Sequence, residues 1–263
     1  MPFFSPTPTG SPRQFKLHVV PAATVGPPDR KFLMGGVNLG AALEALEAVA
    51  ARPTLYASAQ FLSFAGLNDR VDIDVRVRSE GRSVTQATAL NSVGDRAILR
   101  VSAAFGERDG ATDVQFVQPP DVPSASNCEP VVEQQLSSDD LGAHIEKRRA
   151  LEDEASGYAA TWIRCNDALP MTSGLIAVIA DHLAGALPRT RGASSLDNHL
   201  RILNRRETGW LLCETQMLGY SAGFLHGETR LFAEDGVLIA LASQSAALPS
   251  RGGDWAQTHT KRC

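Results

Sequence analysis

The chain has 263 residues, 43% hydrophobic and 21% charged, enough apolar material for one large or two modest folded units. Its 25 basic and 29 acidic side chains leave a net charge of −4, which excludes the global positive field of a nucleic-acid binder. Cys128, Cys165, Cys213 and Cys263 are scattered without metal-ligand spacing, so free thiols and no metal are expected.

The opening residues, "MPFFSPTPTGSPRQFKL", are Pro-rich and lack the apolar stretch of a signal peptide. The longest apolar run, "GLIAVIADHLAGAL", is interrupted by Asp181-His182 and is too short to span a bilayer. A soluble, cytoplasmic chain with no membrane partner is the expectation. Residues 34–51 place Leu39, Leu43, Leu46 and Val49 at helical spacing, with Gly35-Gly36 at the start and Pro53 at the stop. Four strand-like runs follow, at 55–64, 70–79, 82–92 and 96–106, and "VDIDVRV" alternates as a half-buried strand should. "SEGR" and "SVGD" mark the hairpin turns.

The second half repeats that order. A helix is predicted over 171–188, then strands at 194–203, 209–218, 221–232 and 237–248. Gly36 and Gly174 are 138 residues apart, and Val71 and Trp210 are 139 apart, so the two halves read as a duplicated unit. The expected division is an N-terminal unit over 1–118, a Pro/Ser-rich linker over 119–140, a C-terminal unit over 141–250 and a polar tail over 251–263. "DDLGAHIEKRRALEDEASGYAATWIR" leads the second unit with an element of unassigned type, and "EKRRALEDE" reads as a solvated face.

Gly219-Tyr220-Ser221-Ala222-Gly223 spells G-x-S-x-G, the nucleophile-elbow pattern, which needs a strand, a sharp turn at the serine and then a helix. Alternating residues around "EDG" follow instead, which is a hairpin, so the elbow reading is rejected. A helix followed by antiparallel strands, written twice, predicts an α+β chain with both helices packed on one continuous curved antiparallel sheet.

On "FLMGGVNLGAAL", "SSLDNHL", "GWLLCETQ" and "LFAEDGVLIALASQ", the chain from about residue 30 to 250 resembles the type II acyl-CoA thioesterase family, which has the double hot-dog fold. The resemblance implies hydrolysis of an acyl-CoA thioester to a free acid and CoA, without a cofactor, in fatty acid metabolism and in a homo-oligomer. It also implies a water held by an aspartate early in the second half, a Ser or Thr on the next strand and a Gln near the C-terminus. Asp197 and Gln244 fall on two of these positions, while Thr215, Gln216 and Ser221 are open for the third, with Gln216 able to replace a hydroxyl. Ser58 stands where the family usually carries a His. The residues themselves point the same way, since an aspartate within the apolar strand "SSLDNHL" is costly if buried without a partner.

N–H groups at Gly35 and Gly36 would suit a carbonyl oxygen, and glycine there would let an acyl group come close. Arg205 and Arg206, with Arg201 as the alternative, are candidates for the phosphates of CoA. The first half has Ala59 and Ala103 near the places equivalent to Asp197 and Gln244, so one site per chain is expected. Two other readings stand beside hydrolysis. One is a non-catalytic acyl-thioester binding protein; the other is an enoyl-thioester hydratase or dehydratase, for which Asp29 lacks a nearby histidine.

Overall fold

The computed structural model describes residues 2–108, 110, 112–132 and 139–249. The tail expected at 251–263 lies outside the described residues. In the first half, β1 (Gln14–His18) precedes α1 (Gly35–Ala50), β2 (Thr54–Phe61), β3 (Arg70–Glu80), β4 (Val84–Val93) and β5 (Arg96–Gly106). In the second, β6 (Ile145–Asp153) and β7 (Tyr158–Cys165) precede α2 (Ser173–Ala180), β8 (Asp197–Ile202), β9 (Leu211–Ser221), β10 (Phe224–Ala233) and β11 (Leu238–Ala247). These strands make one antiparallel sheet in the order β1-β3-β4-β5-β2-β8-β11-β10-β9-β7-β6, with shorter strands at its margins.

The halves join where β2 meets β8, in a register that sets Ala59 opposite Asn198 and Ala57 opposite Leu200. Two helices on one continuous sheet is the double hot-dog plan read from the sequence. The segment of unassigned type at 139–164 proves to hold one helical turn, Leu141–His144, followed by the β6–β7 hairpin. β1 sits within the Pro-rich opening, where few alternating residues signal a strand.

Glycine sets how close the helices come. A Cβ on Gly40 would lie 2.8 Å from Gly174 O, and one on Gly36 would lie 2.6 Å from the Asp181 Cβ. Only backbones without side chains can cross at that distance, so Gly36, Gly40 and Gly174 are packing residues. From Gly36 to Leu46 nearly every α1 side chain is buried, because α1 touches the sheet on one side and α2 on the other.

α2 is shorter than the predicted 171–188. It ends at Ala180, with Asp181 as its C-cap, and the chain continues as 3₁₀ turns at Leu183–Gly185 and Pro188–Thr190. The His182 ring Nδ1 lies 3.1 Å from Val178 O and 3.2 Å from Ile179 O, which satisfies carbonyls that the terminated helix leaves open. Residues in and just before the linker also pack: Val117, Val122, Ala125 and Cys128 cover Trp162, Trp210, Leu212 and Phe232 on the face of the sheet away from the helices.

Candidate active site

The Asp181 carboxylate is the centre of the buried polar groups. Its Oδ1 accepts from Gln244 Nε2 on β11, and its Oδ2 accepts from the Gly36 N–H at 2.5 Å, in the first turn of α1. Burial raises its pKa from 3.8 to about 6, while Gln244, the Gly36 N–H and Asn198 pull the other way by favouring the anion. The positive end of the α1 dipole adds to that preference.

Three more polar atoms converge here without protein partners: Gln244 Oε1 and both amide atoms of Asn198. Asn198 is fully buried and lies near enough to Asp181 to favour its charge, yet neither amide atom is aligned into a hydrogen bond. His199 opposes Ser243, so Asn198 and Gln244, next along each strand, lie side by side on the helix-facing surface. A buried carboxylate beside unpaired amide atoms of Asn198 and Gln244 is chemically able to seat a small polar guest, such as water or a carbonyl oxygen.

The structure brings Gln244 to Asp181 and not to Asp197, which corrects the expected pairing. Asp197 faces the opposite surface of the sheet. Its Oδ1 accepts from the Ser245 N–H at 2.6 Å, and its Oδ2 lies 3.4 Å from His199 Nε2. The reason is a bulge. Ser195 pairs with Ala246 while His199 pairs with Ser243, so the three residues 196–198 face only two, with Leu196 and Asp197 both opposite Ser245, and Asp197 takes the Ser245 N–H. Ser195 shares the helix-facing side of Ala246, the side of Gln244.

Gln216 is also placed elsewhere. Its Nε2 donates to Ser156 O at 2.8 Å and to Met217 O at 2.9 Å, securing the β6–β7 turn. Thr215 Oγ1 meets Thr229 Oγ1 at 3.0 Å. Ser221 ends β9 at a two-residue turn, with Ala222 at φ 52° and Gly223 at φ 88°, so the G-x-S-x-G stretch is a hairpin corner. Ser58 opposes His199 on the sheet surface away from the helices, where its difference from the family pattern does not touch the Asp181 site.

Gly36 is at the site, though its N–H serves the carboxylate, and Gly35 lies beside both Asp181 Oδ2 and the Phe61 ring. Arg205 lies toward the other end of the helices. It donates to Thr54 O at 2.7 Å and Ser173 Oγ at 3.0 Å, and pairs with Glu47 at 3.3 Å. Glu47 follows Gly36 along α1 by a span of about 16 Å. Arg206 pairs with Asp235 at 2.6 Å. Both arginines are thus committed to carboxylates and neither rims the Asp181 site.

A pocket flanks the end of α2 beyond His182, apolar at Ile163, Ile179 and Leu183 and cationic at Arg149 and Arg191. No group of His, Cys, Asp and Glu side chains among the described residues could hold a metal, and no described helix is long and apolar enough to cross a membrane.

An aspartate inside the apolar run "GLIAVIADHLAGAL" is a charge that the fold must bury, although in the sequence it stands out first as a break in hydrophobicity.

The comparisons agree with this architecture. A family model described as the acyl-CoA thioesterase N-terminal domain matches residues 27–106, and one described as the acyl-CoA thioesterase C-terminal domain matches 114–248. The crystal structure of a candidate thioesterase from Novosphingobium aromaticivorans is 32% identical, with a TM-score of 0.87 over 95% of this chain and 100% of that one. The TesB protein of Mycobacterium avium subsp. paratuberculosis is 18% identical, with a TM-score of 0.78 over 94% of this chain and 96% of that one. Acyl-CoA thioesterase II TesB2 from Mycobacterium marinum is 16% identical, with a TM-score of 0.75 over 94% and 98%. No match is found among curated proteins. With both domain models matched in order along the chain and a full-length relative at 32% identity, this chain belongs to the acyl-CoA thioesterase family.

Proposed function

We propose that Asp181 holds and activates the water that hydrolyses an acyl-CoA thioester, with Gln244 and Asn198 completing the site. The observation that carries this reading is the buried Asp181–Gln244 pair beside three polar atoms without protein partners. A carboxylate held near pKa 6 is ionised at neutral pH and still basic enough to draw a proton from water. Gln244 Oε1 is an acceptor that orients the water. Asn198 Nδ2 is a donor that can meet the thioester oxygen as negative charge develops on it. Water adds to the carbonyl carbon, the C–S bond breaks, and the thiolate leaves as CoA while the acyl group departs as the acid.

Ser195 takes the hydroxyl position that the family resemblance requires. With Asp181 as the aspartate, the strand that follows opens at Ser194–Ser195, and Ser195 shares the surface of Gln244. The duplicated half cannot do the same, since Ala59 opposes Asn198 and Val101 opposes Ala59, both apolar. One site per chain follows. A role in fatty acid metabolism in the cytoplasm, and a homo-oligomeric state, belong to this reading.

The test is release of free CoA from a panel of acyl-CoAs varied in chain length and branching. Turnover of at least one member supports the reading. Tight binding of acyl-CoAs with no CoA released across the panel would favour the acyl-binding alternative.

A further inference from the structure

Beside the entry to α1, an aromatic ring exposed to solvent has two arginines against it. Phe64 is 53% exposed, the Arg30 guanidinium lies 5.7 Å from its ring centroid, and that of Arg96 lies 5.6 Å from it. Neither guanidinium has a carboxylate partner among the described residues, unlike Arg205 and Arg206. The two cations are held differently. Arg96 Nη1 donates to Ser63 Oγ at 2.7 Å and to Phe64 O, so it is fastened to the loop that carries the ring. No hydrogen bond or ion pair of the Arg30 side chain is found among the described residues, which leaves it able to swing off the ring.

This patch is tied to the Asp181 site by backbone. Leu33 N donates to Ala65 O at 2.9 Å, and Phe32 bridges Gly66, so the segment carrying Phe64 runs alongside the one that leads into Gly35. Phe61, three residues before Phe64, is the ring against Gly35, which in turn adjoins Asp181 Oδ2. An extended chain covers those three residues in about 10 Å.

We infer that Arg30, Phe64 and Arg96 recognise the phosphorylated purine end of the thioester substrate, with the base on the Phe64 ring and the phosphates on the guanidiniums. This rests on the thioesterase reading and adds the residues that select a nucleotide-bearing ester. The chemistry fits in three respects. A solvent-exposed phenylalanine is an apolar plate on which any base can stack. Guanidinium is the side chain best shaped for phosphate oxygens. A chain of net charge −4 must meet a polyanion with a local cluster rather than a global field. Arg30, swinging to a phosphate, uncovers the ring face that the base takes, while Arg96 stays as the fixed cation.

The experiment compares Phe64→Ala and Arg30→Glu with wild type in two assays. The first is calorimetric binding of adenosine 3′,5′-bisphosphate, which needs no turnover. The second is KM for an acyl-CoA against the same acyl group on N-acetylcysteamine, which lacks the nucleotide. Wild type binds the bisphosphate; each variant weakens it on the order of tenfold and raises KM for the CoA ester to match, with the short thioester unchanged. Arg191→Glu, at the pocket beyond His182, serves as the comparison and leaves both values as in wild type. Unchanged bisphosphate binding in Phe64→Ala and Arg30→Glu, or a loss confined to Arg191→Glu, would overturn the proposal. Hydrolysis of both substrates by wild type in that case would leave the thioesterase reading intact, whereas bisphosphate binding without any hydrolysis would count against that reading alone.

Discussion

Asp181 and Gln244, 63 residues apart, meet in a buried hydrogen bond where the C-terminus of α2 faces the N-terminus of α1. The carboxylate's other oxygen is held by the Gly36 N–H from the first half, so this buried cluster draws on both units.

Activity is expected to follow the charge of Asp181. Since burial raises its pKa to about 6, kcat/KM should climb with pH through a midpoint near 6 and level off above it. A pH–rate profile from 4.5 to 8.5 checks this. A flat profile through pH 6 would detach the base from Asp181.

The same shift has a consequence for stability. Asp181 titrates near 6 when folded and at the ordinary 3.8 when unfolded, so between those values the folded state holds more protons. Stability from this group therefore falls as pH rises from about 4 to about 6, and above 6 the chain carries the whole cost of a buried charge. Asn at this position keeps the acceptor for Gly36 and, with the Gln244 amide reversed, the bond to β11. Asp181→Asn should be more stable than wild type at pH 8, by on the order of 2–3 kcal/mol, and gain little at pH 4. Thermal melts of both proteins at the two pH values measure the difference.

Much of the fold was legible in the sequence, and the site only in part. The repeat, the first helix and the hairpins were readable because period and turn residues are local. The length of α2 was not, because Asp181 and His182 end it through contacts with Gly36, Gln244 and the α2 carbonyls. Asp197 stands out in the sequence as a charge in an apolar strand, but the bulge at Leu196-Asp197 turns it to the other surface, and a one-residue slip of register leaves no mark in composition. Gln244 meets Asp181 rather than the Asp197 that the sequence pairs it with, because that partner is set by the end of α2 and not by the strand register.

The glycines at the helix crossing should be intolerant of even one methyl group. In Gly40→Ala the new Cβ would meet Gly174 O at 2.8 Å, and backbone cannot yield as a flexible side chain can. A loss of about 1–3 kcal/mol is expected, readable in a urea titration.

Arg205→Ala should lower stability without weakening CoA binding. Its removal strands Glu47 and Ser173 at a partly buried junction of α1, α2 and β2. Melting temperature should drop while KM for an acyl-CoA stays within about twofold of wild type. A large rise in KM would restore Arg205 as a phosphate ligand.

Ser221→Ala is expected to leave turnover nearly unchanged, since Ser221 lies at a hairpin corner and not at an elbow. Ala222→Gly should stabilise the chain by up to about 1 kcal/mol, because Ala222 holds φ at 52° where glycine is unstrained. Loss of activity in Ser221→Ala would point to an acyl-enzyme instead.

The most direct measurement is kcat for Asp181→Asn and Asp197→Asn on one acyl-CoA that wild type hydrolyses, with circular dichroism showing that both are folded. Asp181→Asn should lose about 10²–10⁴-fold in kcat, because the group that takes the water's proton is gone. Asp197→Asn should keep kcat within several-fold and lose about 1 kcal/mol of stability, since its carboxylate only satisfies the Ser245 N–H and the His199 ring. Near-normal turnover in Asp181→Asn, with Asp197→Asn inactive, would contradict the account.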